Sequence, residues 1–187
     1  MNPTIPQACA ALAPEDELDF ALEVGDEISK GDREILLGRK HACVSAALKT
    51  VSTLCQVLDD EDEDQPNRQI ATAYLSTVAA WVEKPSDTAL TKVKDALGRS
   101  NLVSRQVAPA MEGKESKTVT RADCYDSKLT KCVYHAFMAC LSVKPSDAAS
   151  HLRAVVGTAA QGIELATGQA SGYAHGRLIG IVQAEGL

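Results

Sequence analysis

The sequence predicts an all-α protein, a helical bundle of about six or seven helices. Hydrophobic residues make up 45% of the chain but aromatic residues only 4%, and most of the apolar content is Ala, Leu and Val. This mixture favours helices over a strand-rich fold. Apolar residues also recur at helical spacing in several segments, and the quartet KPSD occurs twice with the features of a helix-helix corner. A chain of 187 residues is long enough to bury a core.

The domain organisation follows from where the periodic pattern starts and stops. Residues 1–13 contain two prolines and little periodicity, which predicts a flexible N-terminal arm. We expect a single all-α domain over residues 14–187, with helical subregions at 14–100 and 122–187. The polar, glycine-containing and locally basic segment 101–121 is predicted to be the linker that joins them.

Two helices are predicted in the first third of the chain. The first begins near Pro14, because a proline followed by three acidic residues suits the positive end of a helix dipole, and it ends between residues 29 and 31. The second runs from about Asp32 to Leu58, where apolar residues repeat with the helical period. We expect this long second helix to be the central element of the bundle.

The run DDEDED, from Asp59 to Asp64, follows the second predicted helix. Six successive acids repel one another, so the run is predicted to end the helix as a solvated connector. A divalent-cation loop and an attractive surface for a basic partner are the alternatives, and the run lacks the central Gly and the ligand spacing of a helix-loop-helix calcium site. For the basic-partner alternative, Asp60 and Asp62 are the candidate contacts.

The two KPSD quartets predict a repeated corner between helices. Pro85 and Pro145 cannot continue a helix interior, whereas Ser86 and Ser146 are good N-cap residues with an aspartate behind each. A tyrosine lies ten residues before each quartet, so the similarity extends into the preceding helix. The pattern predicts two related αα-hairpins within one bundle.

Charge is divided unequally along the chain. Residues 1–64 hold 15 acidic and 5 basic side chains, a net of −10, whereas residues 65–187 hold 10 acidic and 14 basic, a net of +4. Nucleic-acid binding requires a coherent basic face with stacking aromatics, and the sequence has no nucleic-acid motif. We therefore expect no nucleic-acid partner.

The cysteine pattern and the hydropathy indicate a cytoplasmic protein. No secretory signal precedes the cysteines, and they lie in helical apolar patterns, so free thiols in a reducing compartment are expected. No apolar run approaches the length of a membrane span, so no membrane association is expected. The six cysteines are Cys9, Cys43, Cys55, Cys124, Cys132 and Cys140.

Candidate catalytic and metal-binding residues are few. Cys132 and His135 stand at i and i+3, where both side chains can reach one zinc ion, but no paired metal-ligand motif accompanies them. Cys140 can pair in space with His135 or His151. No nucleotide-binding loop or nucleophile elbow is present. We expect a protein that is not an enzyme and has no cofactor, the alternative being a helical enzyme or a small-ligand or metal-binding protein that uses Cys132, His135 and Cys140.

The carboxyl end carries the most unusual pattern. In GQASGYAHGRLIG, glycines recur every four residues, at Gly168, Gly172, Gly176 and Gly180. On one helix this spacing forms a smooth ridge that another backbone can approach closely. The ridge is predicted either to pack inside the protein, to dock a partner or second copy, or to form a frayed tail. For docking, the candidate contacts are Gly172, Tyr173, Gly176 and Ile179.

The stretch WVEKPSD, with Trp81 before the Pro-Ser-acid corner, resembles small all-helical bacterial proteins of unknown function and immunity-type proteins encoded beside secreted toxins. The resemblance covers residues 70–165 and carries no residue-level site. It implies a cytoplasmic binder without catalysis. The expected partner is another protein, such as a toxin, an effector or a secretion component, and a homodimer is a further expectation.

Overall fold

The computed structural model describes residues 30–61, 66–100, 121–169 and 172–187. These residues form six α-helices and no strand, which confirms the all-α prediction. The predicted N-terminal arm, the helix predicted from Pro14 and most of the predicted linker lie outside the described residues. The helices are α1 (Lys30–Glu61), α2 (Pro66–Glu83), α3 (Asp87–Arg99), α4 (Arg121–Leu141), α5 (Pro145–Thr167) and α6 (Tyr173–Ala184).

Three long helices form the centre of the bundle. α1, α4 and α5 all pack against one another, α2 and α3 pack on α4, and α6 packs on α5 and α1. The buried faces consist mainly of Ala, Val, Leu and Cys, with Phe137 the largest fully buried side chain. Small side chains let the helices approach closely. At Gly162 of α5, an added Cβ would lie 3.0 Å from Cδ1 of Leu54 on α1.

Helix α1 is longer than the sequence predicts at its carboxyl end. It continues through Asp59 and Asp60 to Glu61, so the prediction that the acidic run ends this helix is wrong for its first three residues. Each such residue costs only about 0.5 kcal/mol relative to alanine in a helix. A helix of 32 residues that packs along its length offsets a cost of this size. The rest of the acidic run lies outside the described residues.

The first KPSD quartet forms the predicted corner. α2 ends at Glu83, and Ser86 is the N-cap of α3 with an extended backbone. The Ser86 hydroxyl accepts a hydrogen bond from the backbone N–H of Ala89 at 3.2 Å. This bond satisfies one of the amide donors that a helix start leaves without a partner.

The second KPSD quartet forms a different corner. α5 already begins at Pro145, so Lys144 is the N-cap residue and makes no side-chain capping bond. The prediction that Ser146 caps this helix is therefore wrong, because Ser146 lies inside the first turn. Pro145 has no N–H to satisfy and its fixed φ suits the first helical position, so α5 starts without a hydroxyl cap. Each quartet nevertheless joins two helices that pack together as a hairpin.

Candidate functional site

The four carboxyl-terminal glycines do not share one helix. Gly168 adopts a left-handed conformation with φ 69° and terminates α5, and Gly172, with φ 102°, is the N-cap of α6. Residues that carry a side chain rarely adopt a positive φ, whereas glycine does so readily. Both glycines are therefore turn residues. The predicted ridge is therefore shortened to Gly176 and Gly180, which lie inside α6.

Helix α6 has one buried face and one exposed face. Ala174, Leu178 and Val182 are buried against α1 and α5. Gly176 and Gly180 are exposed, and a Cβ added to either would meet no described atom within 4 Å. Among the described residues, nothing packs on the glycine face, in contrast to the predicted internal packing. The shortened ridge is thus a free surface of the described bundle.

Two of the predicted contact residues border this exposed face. Tyr173 is 67% exposed at the start of α6, and Ile179 is half-buried near its middle. We call Tyr173, Gly176 and Gly180 the α6 surface. It presents an exposed aromatic ring beside two glycines at which an added Cβ would meet no described atom within 4 Å.

The two ends of α6 are held to the rest of the bundle. At its start, the N–H of Gly172 donates a hydrogen bond to the Glu164 carboxylate at 3.1 Å. At its end, Glu185 pairs with Lys49 of α1. Burial alone would raise the pKa of Glu185, but hydrogen bonds from Lys49 and Ser45 outweigh it and hold this pKa below its usual value. The α6 surface is consequently fixed in orientation.

A cleft of about 220 Å³ opens beside Tyr173, between α1, α5 and α6. A volume of this size can hold one large side chain but is below the usual size of a site for a drug-sized molecule. We call it the Tyr173 cleft. Its lining is mixed, with apolar, hydroxyl, amide and guanidinium groups from Val57, Ile163, Thr167, Gln169, Tyr173, Ala174 and Arg177.

The acidic run begins close to this cleft in the chain. Val57 lines the cleft, and Asp60 follows it by three residues in the last turn of α1. Asp62 lies outside the described residues. Of the acidic run, only the backbone of Asp59, Asp60 and Glu61 at the end of α1 therefore belongs to the described residues.

The cysteines of the predicted alternative site point into the core. Cys132 and Cys140 are buried free thiols, and the Cys132 thiol donates to the Val155 carbonyl at 3.6 Å. Burial raises the pKa of Cys132, and it raises that of Cys140 to about 12 against the opposing effect of Lys40. A reactive or metal-binding cysteine is a thiolate. Both thiols are therefore protonated near neutral pH.

His135 contacts a second histidine across the α4–α5 hairpin. The Nδ1 atoms of His135 and His151 are 3.0 Å apart, and Tyr134 stacks edge-on against His135. Burial lowers the pKa of both rings, to about 4 for His135, where His151 and Lys131 add to the effect. The hydrogen bond requires one ring to donate its Nδ1–H and the other ring to accept it with an unprotonated Nδ1.

The spacing of the two histidines about the second KPSD corner could have predicted this pair. His135 lies six residues before the end of α4, and His151 lies six residues after the start of α5. Two positions at equal distance from the corner of an antiparallel hairpin face each other at the same level. The prediction paired each histidine with Cys140 and overlooked this symmetry about the second KPSD corner.

Trp81, which carries the resemblance stated above, belongs to the core. It is buried, with the Lys40 ammonium 5.2 Å from its ring centroid. His41, which follows Lys40 in α1, donates its Nε2–H to the Val82 carbonyl at 2.6 Å. These contacts fix the end of α2 on α1 and explain the motif through packing.

Comparison of the chain with protein-family models, with curated proteins and with solved structures finds no significant match. Among the described residues, no helix combines the length and the apolar character that crossing a membrane requires. The same part of the chain contains no cluster of three or more His, Cys, Asp or Glu side chains placed to hold a metal ion.

Proposed function

We propose that the protein is a non-enzymatic binder of another protein and that the α6 surface is its contact site. The observation that carries the proposal is the exposed face of α6, where Tyr173 stands beside two glycines that no described residue covers. Aromatic residues are enriched at the centre of protein interfaces. A toxin, an effector or a secretion component is the class of partner that the resemblance implies.

The Tyr173 cleft gives the partner a place to anchor. One apolar or aromatic side chain fits its volume of about 220 Å³. Burial of such a side chain contributes about 1.5–3 kcal/mol. The partner's backbone would lie over Gly176 and Gly180, since no Cβ keeps it at a distance there.

The acidic run adds a second, weaker contribution. Its charges accelerate the encounter with a basic partner, but exposed charges are screened by salt and mainly change the association rate. Replacement of all six acids from Asp59 to Asp64 by Ser and Asn is expected to lower a salt-sensitive association rate and to leave the dissociation rate nearly unchanged.

The α6 surface is tested with matched leucine variants. The partner is first identified by co-purification from the native cell and then titrated as a purified protein against the wild type, Gly176→Leu and Gly98→Leu. Gly98 is also an exposed helical glycine, and a Cβ added there would meet no described atom within 4 Å, but it lies in α3. We expect Gly176→Leu to raise Kd by more than tenfold and Gly98→Leu to leave it unchanged.

Two results would count against the proposal. If both variants bind the partner like the wild type, binding occurs elsewhere on the molecule. If instead both variants bind weakly, the loss reflects general destabilisation, and α6 has no special role. Sedimentation of the wild type over a concentration series separates a second copy of the chain from a different partner.

A further inference from the structure

We propose that His135 and His151 form a two-histidine site for a divalent transition-metal ion of the zinc, nickel and copper class. The site lies between α4 and α5 and shares no residue with the α6 surface. The proposal therefore does not depend on the proposed binding function. Imidazole nitrogen is the protein ligand that this class of ion prefers.

The separation of the two rings fits a shared ion. A metal–nitrogen bond to histidine is about 2.0–2.1 Å, so two nitrogens on one ion at angles between 90° and 109° lie about 2.9–3.4 Å apart. The two Nδ1 atoms are 3.0 Å apart, within this range. The ring planes are inclined by 35°, and the centroids are 5.3 Å apart.

Small movements bring both lone pairs onto one ion. In the hydrogen-bonded pair the Nδ1 atoms face each other, so each ring must turn until its lone pair points to a position beside the line that joins them. This rotation is about the second side-chain torsion of histidine, which is broad and soft.

The hydrogen bond between the rings also favours the ion. One of the two Nδ1 atoms accepts that bond and therefore already carries a free lone pair. The donor ring has its proton on Nδ1, and this proton must pass to Nε2 of the same ring, through water, before Nδ1 can bind the ion. The exchange of tautomers releases no net proton, so the ion competes only with the Nδ1–H···Nδ1 hydrogen bond.

The surroundings leave coordination positions open to water. Both histidines are half-buried, so each remains partly exposed to solvent. Since no third acidic, thiol or imidazole ligand is in place among the described residues, water molecules complete the shell. The negative charge of Asp147, which acts on His151, attracts a cation, whereas the positive charge of Lys131, which acts on His135, opposes it. We therefore infer an exchangeable ion rather than a permanent structural one.

The experiment is a titration of the full chain with NiCl₂ at pH 7.5, followed by calorimetry and by histidine-selective ¹⁵N NMR. We expect one ion per chain and selective perturbation of the Nδ1 resonances of His135 and His151. His135→Gln and His151→Gln should each weaken binding by at least tenfold. His175→Gln, a substitution of a half-buried histidine in α6, is the matched control and should leave binding unchanged.

The same measurements define the results that would overturn the proposal. Absence of any perturbation at the two Nδ1 atoms in the wild type would do so without reliance on a variant. Binding that persists in both glutamine variants, or sulfur-to-metal charge-transfer absorption, would assign the ion to other residues. If a glutamine variant fails to fold, the NMR titration of the wild type still decides.

Discussion

Thr50 of α1 is fully buried, and its hydroxyl is the only buried side-chain oxygen of the described residues without a hydrogen-bond partner. A buried hydroxyl without a partner retains its desolvation cost. Thr50→Val replaces the hydroxyl by a methyl group of similar size. We expect the free energy of unfolding to increase by about 1 kcal/mol, measured by urea denaturation.

The control for this substitution is Thr53→Val on the same helix. The Thr53 hydroxyl donates to the Lys49 carbonyl at 3.0 Å, so its removal deletes an existing bond. The prediction is wrong if Thr53→Val stabilises the protein as much as Thr50→Val does.

The histidine pair makes stability depend on pH. Both pKa values are lower in the folded protein than the usual value of 6.5, to about 4 for His135. Between these values the unfolded chain binds protons that the folded protein does not. The contribution of the histidine pair to the free energy of unfolding is therefore fully present above pH 6.5 and falls as the pH decreases toward 4. Because both rings are partly solvated, we expect a loss of only about 1 kcal/mol, or about 2–4 °C in Tm.

A double variant isolates this effect. In His135→Gln/His151→Gln, the slope of Tm against pH between 4 and 6.5 should become flatter. Glu185 has a lowered pKa, so its contribution to stability declines only as the pH falls below the usual value of 4.5, which is largely outside this window. An unchanged slope in the double variant would assign the dependence to other groups.

At the scale of elements, the repeated quartet shows what a sequence motif determines. Both KPSD copies end one helix and start another, as predicted, because proline excludes a helix interior in either copy. The position of the start differs by two residues, since α3 begins after Ser86 and α5 begins at Pro145. Proline and serine are both acceptable at a helix start, so the packing of the flanking helices decides between them.

Matched alanine variants measure this difference. Ser86→Ala removes the capping bond to the Ala89 N–H and should lower stability by about 1 kcal/mol. Ser146→Ala lies inside a helix without a capping role and should change stability by less than about 0.5 kcal/mol. Thermal unfolding followed by circular dichroism compares the two. Equal losses would show that Ser146 also caps α5.

At the scale of the whole molecule, the all-α bundle followed from composition and helical periodicity, whereas the sites required the three-dimensional arrangement. Glycine spacing alone does not show where a helix is interrupted, and the positive φ of Gly168 and Gly172 became evident only with the turn between α5 and α6. The Tyr173 cleft joins residues from α1, α5 and α6, so no local pattern could reveal it. The glycine that lies closest to another helix, Gly162, was not among those predicted.

The final prediction tests whether the glycines of α6 belong to the surface. In Gly176→Leu, the new side chain meets no described atom at its Cβ, and removal of a helical glycine contributes about 1 kcal/mol of helix propensity. We therefore expect a folded monomer of equal or slightly greater stability. In Gly162→Leu, the Cβ lies 3.0 Å from the fully buried Leu54, and overpacking should cost about 2 kcal/mol.

Urea denaturation of both variants, with circular dichroism as the probe, makes the comparison. If Gly176→Leu unfolds as readily as Gly162→Leu, part of the chain covers α6, and the α6 surface cannot bind a partner. If Gly176→Leu remains stable but loses partner binding, folding and binding are separated at a single residue. That separation is the result that a docking surface requires, because its backbone contributes to the complex and not to the core.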